Sequence, residues 1–65
     1  MIQINGENKT GYEGLSVGQM VEKEGYTIGR IALEINGTII SKNDYNDTIL
    51  HSGDVIEVVS FVGGG

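Results

Sequence analysis

The sequence predicts an α+β fold, a mixed sheet of roughly four to five strands with one main helix on one face. Three observations carry that expectation. Large apolar residues alternate with polar or small ones in Ile2-Gln3-Ile4-Asn5 and again in Ile31-Ala32-Leu33-Glu34-Ile35, which is the period of half-buried strands. Between them Val17, Met20 and Val21 have the spacing of one helix face. Each alternating stretch ends in an Asn-Gly pair, Asn5-Gly6 and Asn36-Gly37, whose residues tolerate the positive φ of a two-residue hairpin turn.

In chain order, Ile2 and Ile4 place one strand and Asn5-Gly6 turns it back. The return strand is expected over Lys9 to Glu13. It reads as a sheet edge, because Gly11 has no side chain to pack and Tyr12 is its one bulky residue. After Gly14 the pattern becomes helical. Ser16 stands three residues before Gln19, the spacing of a capping box, and Leu15 and Met20 are spaced as a hydrophobic staple. Gly25 is the expected terminator, giving a helix of about ten residues. Gly18 inside it costs roughly 1 kcal/mol relative to alanine, so docking rather than propensity must stabilise the helix.

The second half opens with the Ile31 to Ile35 strand, the Asn36-Gly37 turn and a return strand over Thr38 to Ser41. From Ser41 to Leu50 the chain is polar and irregular, with Tyr45, Ile49 and Leu50 as its apolar anchors. Ser52-Gly53-Asp54 then turns the chain into Val55 to Val62, its most apolar segment. Near-continuous burial is expected there, which predicts a central strand flanked on both sides. The resulting order is strand, strand, helix, strand, strand, strand. This is the layout of a β-grasp, or ubiquitin-like, fold, which implies that the first and last strands run side by side in parallel. The expected division is a β-grasp domain over 1–61 and a flexible glycine tail over 62–65.

Composition excludes several function classes. A chain of 65 residues makes one domain that buries only roughly 60% of its unfolded surface, too little for a large active-site cleft. There is no cysteine, hence no disulfide, thiolate metal cluster or thiol nucleophile. A net charge of −5 repels phosphate backbones and anionic lipids, so neither nucleic acid nor membrane is an expected partner. The opening residues show no signal-peptide pattern, and a cytoplasmic location is expected. The sequons at Asn8, Asn36 and Asn46 then have no access to glycosylation.

Other short signals are set aside on their chemistry. Gly6 to Gly11 has the glycine spacing of a phosphate loop, but Tyr12-Glu13 stands where lysine and a hydroxyl residue are needed. His51, the one histidine, is read as a turn residue, and Asp44, Asn46 and Asp47 lack the glycine and final glutamate of a calcium loop. Tyr12, Tyr26 and Tyr45 are too scattered to stack on bases. No metal site and no catalytic residue is expected.

The ending Ser60-Phe61-Val62-Gly63-Gly64-Gly65 is different. Glycines without Cβ atoms, following a core strand with no linker, can lie extended in a narrow tunnel and present an unhindered carboxylate to another protein. Attack of that carboxylate on the α-phosphate of ATP gives an acyl-adenylate, which splits a difficult acyl transfer into two easier steps. In the last strand Ile56 and Val58 point one way, and Val59 and Phe61 the other. Either Phe61 and Val59 form an apolar docking patch on the open sheet face, or Phe61 closes the end of the core.

Over almost its whole length the chain resembles the sulfur carriers of thiamin thiazole biosynthesis, the ThiS family. The resemblance is carried by the opening MIQINGE, the helix start LSVGQMVE, the hairpin ALEINGTII, the segment HSGDVIEVV and the ending FVGGG. It implies a non-enzymatic carrier whose Gly65, with Gly64 beside it, is adenylated by a ubiquitin-activating-type adenylyltransferase. ATP and magnesium would be used by that partner, and this chain would bind no cofactor. Val62 and Gly63 would thread the tail. Sulfur derived from cysteine, through a donor such as a cysteine desulfurase, would convert Gly65 to a thiocarboxylate and pass to a thiazole synthase. Alternatives are a molybdopterin synthase small-subunit-like carrier, a ubiquitin-like modifier, and an inert β-grasp interaction module.

Overall fold

Two Asn-Gly turns set the register of the sheet. Asn5 and Gly6 have φ of 50° and 83°, and Asn36 and Gly37 have 52° and 85°, the left-handed pair that a two-residue hairpin requires. The computed structural model describes residues 1–61. In it β1 (Ile2–Ile4) pairs antiparallel with β2 (Glu7–Lys9), and β3 (Ile31–Ile35) pairs antiparallel with β4 (Thr38–Ile39). The last strand, β5 (Val55–Ser60), joins the two hairpins, parallel to β1 and antiparallel to β3. The five-stranded order is β2-β1-β5-β3-β4, with one α-helix, α1 (Val17–Glu24), across one face.

The helix begins as its sequence predicts. Ser16 Oγ accepts from the Gln19 amide at 3.1 Å, and Gln19 Oε1 accepts from the Ser16 amide at 2.9 Å. Two further free amides at the helix start are satisfied by the long loop: Val17 N–H donates to Thr48 O at 2.8 Å and Gly18 N–H to Tyr45 O at 3.0 Å. Gly25, at φ 80°, ends the helix after eight residues rather than about ten, with its amide on Glu22 O and Val21 O. Val17, Met20 and Val21 are buried against Ile2, Ile4, Leu33 and Ile56.

Several boundaries depart from expectation. β2 occupies Glu7–Lys9 and not Lys9 to Glu13, because a two-residue turn puts Glu7 directly opposite Ile4 and pairing starts at once. Gly11, at φ 84°, then carries the chain off the edge. Tyr12 is consequently buried in the core instead of extending the strand, with its hydroxyl on Glu24. β4 ends at Ile39 rather than Ser41, since Ser41 Oγ caps a 3-10 turn at Lys42–Asp44. In the loop that follows, Tyr45 and Leu50 are buried but Ile49 is exposed.

β5 is central as expected, for a different reason. Its burial alternates, with Ile56 and Val58 inside and Val55, Glu57 and Val59 outside. A single helix covers only one face of the sheet, so flanking strands, not two-sided burial, define the central position. No helix among the described residues is long and apolar enough to cross a membrane.

Candidate functional site

The far end of β5 is where the sequence places the chemistry, and the structure fixes it from both sides. Toward β3, Ile31 lies opposite Ser60 and Ala32 opposite Val59, and the Phe61 amide donates to Arg30 O at 2.7 Å. Toward β1, strand pairing ends at Ile4 opposite Ile56. Beyond that point the Asn5 side chain takes over: Val58 N–H donates to Asn5 Oδ1 at 2.8 Å, and Asn5 Nδ2 donates to Val58 O at 3.1 Å. One carboxamide supplies the donor and acceptor that another strand residue would have provided.

The second Asn-Gly turn holds the start of the strand in a related way. Asn36 Oδ1 accepts from Val55 N–H at 2.9 Å, and Asn36 N–H donates to Val55 O at 2.8 Å. Both turn asparagines thus dock onto β5, one at each side. Their turn role is legible from Asn-Gly alone. Their side-chain role is not, because Asn5 and Val58 are 53 residues apart.

Val59 is 61% exposed and Phe61 47% exposed, on the sheet face opposite the helix. Phe61 therefore does not close the core. The same face carries Ile39, opposite Glu34, and Glu34 in turn lies opposite Glu57. The result is an apolar rim interrupted by two carboxylates. Gly65, Gly64, Gly63 and Val62 lie outside the described residues.

The signals set aside from sequence have structural roles. Strand β2 runs through the Gly6 to Gly11 stretch, which is a hairpin and not a phosphate cradle. His51 is an exposed turn residue whose amide donates to Asp54 Oδ2 at 2.8 Å. Among the described residues no group of three or more His, Asp or Glu side chains could hold a metal ion. Around Tyr12, Lys23 Nζ lies 5.8 Å from the ring centroid and Lys9 pairs with Glu24 at 3.6 Å, tying the edge strand to the helix. The hydrogen bond to Glu24, then burial and the Glu24 charge, raise the Tyr12 hydroxyl above the usual tyrosine range. Burial alone raises that of Tyr45.

Residues 2–65 match the ThiS family. The chain is 36% identical over 64 residues to the uncharacterized protein ycf40 of Porphyra purpurea, covering 98% of this chain and 90% of that one. It is 33% identical over 64 residues to a thiazole synthase of Magnetococcus marinus, covering 98% of this chain but only 20% of the synthase. In three dimensions it is similar to the crystal structure of the thiamine biosynthesis protein ThiS from Geobacter metallireducens. That likeness has a TM-score of 0.78 at 25% identity and covers 98% of this chain and 97% of the other. With the β-grasp sheet order, the single helix and a family match that runs through the terminal glycines, the chain belongs to the ThiS family of ubiquitin-like sulfur carriers in thiamin biosynthesis.

Proposed function

We propose that this chain carries sulfur as a thiocarboxylate on Gly65 and is itself a substrate rather than a catalyst. One observation carries the reading: β5, held centrally by two strands and two turn asparagines, leads with no linker into Val62-Gly63-Gly64-Gly65. A rigid base with a side-chain-free end suits delivery of one terminal group into another protein's tunnel. The Gly65 carboxylate oxygen attacks the α-phosphate of ATP on a ubiquitin-activating-type adenylyltransferase, and pyrophosphate leaves. The outer sulfur of a persulfide, formed from cysteine on a desulfurase-type donor, then attacks the acyl carbon and displaces AMP. A second thiol, such as that of excess cysteine, cleaves the resulting acyl disulfide, releasing the Gly65 thiocarboxylate and forming a disulfide.

ATP and magnesium belong to the partner, and the cytoplasm is the compartment we assign. Thiazole synthase is the proposed acceptor. Support comes from the thiazole synthases of Magnetococcus marinus and Paramagnetospirillum magneticum, in which a segment like this chain makes up 20% and 19% of the polypeptide. The absence of cysteine fits, since no internal thiol can intercept the activated acyl group.

The test is intact-mass measurement after incubation with the adenylyltransferase of the source organism, ATP, magnesium, cysteine and a cysteine desulfurase. Exchange of one terminal oxygen for sulfur is expected. A ladder of amide-linked conjugates would identify a modifier instead, and an unchanged mass would leave only an interaction module.

A further inference from the structure

Glu34 and Glu57 lie directly opposite each other on β3 and β5, on the face that carries Ile39, Val59 and Phe61. Like charges at such a position have Cβ atoms about 5 Å apart and destabilise the strand pair. No ion pair among the described residues relieves them. Three of the four basic side chains are engaged elsewhere: Lys9 with Glu7 and Glu24, Lys23 over Tyr12, and Lys42 on the Ile31 carbonyl.

We propose that Glu34 and Glu57 together receive an arginine of the enzyme that activates Gly65, at the centre of a docking face rimmed by Ile39, Val59 and Phe61. The proposal rests on the carrier reading above and deepens it. Two arguments select this occupant. First, four residues separate Phe61 from the terminal carboxylate, a span of at most about 14 Å when extended. Any enzyme acting on that carboxylate must stand against the end of β5, where Val59 and Phe61 are exposed. Glu57 is four residues back along the same strand, about 13 Å away, so one protein surface spans both.

Second, the charge complement is specific. Two adjacent carboxylates on a half-apolar face are matched by one planar guanidinium, whose donors reach both while its faces contact apolar neighbours. A lysine offers one compact charge without that fork. Docking then converts an internal repulsion into a paired site, so removal of the carboxylates weakens association without weakening the fold.

The experiment uses the full chain, its Glu34→Gln/Glu57→Gln variant and the adenylyltransferase of the source organism, with ATP–pyrophosphate exchange as the readout. The double variant is expected to raise the KM for the carrier at least about ten-fold, leave kcat unchanged, and flatten the salt dependence of KM. Its thermal midpoint is expected to equal or exceed that of the parent. An unchanged KM with active parent chain would overturn the arginine site while leaving the carrier reading standing. Self-association of the double variant with an unchanged KM would assign the glutamates to keeping copies apart and also overturn it. No exchange with the parent chain would sink the carrier reading, and this inference with it.

Discussion

Asn5 is the residue on which the position of the β5 exit depends most directly. Its side chain makes two hydrogen bonds to Val58, of 2.8 Å and 3.1 Å, both partly buried. Each contributes about 1 kcal/mol net, so Asn5→Gly, which keeps the left-handed backbone at no steric cost, is expected to lose about 2 kcal/mol. Asn5→Ala loses the same two bonds and keeps a Cβ at φ 50° without the local polar contacts that make asparagine tolerant of that conformation, bringing the loss to about 3 kcal/mol. For a domain of this size each kcal/mol lowers the thermal midpoint by roughly 4–8 °C, so Asn5→Gly should melt about 8–16 °C below the parent.

The control is Asn36→Gly, in the same turn type at φ 52°, whose side-chain bonds to Val55 and Asp54 are exposed. It is expected to cost about 1 kcal/mol, since water replaces exposed partners readily. Calorimetry gives the midpoints, and amide exchange at Val58 reports the local effect, with protection falling more there than at Leu33. An Asn5→Gly loss within about 0.5 kcal/mol of zero, the range of an ordinary surface change, would refute the claim that this carboxamide substitutes for a strand.

Three further outcomes are expected. Tyr45→Phe should raise stability by about 1 kcal/mol in urea unfolding, because the Tyr45 hydroxyl is buried without a hydrogen-bond partner among the described residues; a loss instead would reveal a partner for it. Tyr12 has a folded pKa raised by its Glu24 bond, burial and the Glu24 charge. Its contribution is therefore complete below the ordinary tyrosine value of about 10 and declines as pH rises from there through the folded pKa. Tyr12→Phe should reduce the alkaline fall in stability, leaving the share due to Tyr45; an identical fall would exclude Tyr12 as its source. Deletion of Gly65 should abolish ATP–pyrophosphate exchange with the adenylyltransferase and leave the thermal midpoint unchanged, whereas a lowered midpoint would place the tail in the core.

What the sequence alone determined is whatever depends on neighbours within a turn or two. The capping box needs only Ser16 and Gln19, the helix stop needs only Gly25 at φ 80°, and each hairpin turn needs only an Asn-Gly pair. Their order along the chain was enough for the fold, and the family resemblance supplied the sheet order. Contacts between distant segments decided the rest. They buried the Tyr12 ring beside Glu24, left Ile49 outside, and covered only one face of β5. They also placed Asn5 against Val58 and Glu34 opposite Glu57. Local spacing fixes where a chain bends and which side chains alternate, but a residue's cross-strand neighbour is set by a register that only the assembled sheet defines. That is why Phe61 could be read from sequence as either core or surface, and why the single covered face of the sheet settles it as surface.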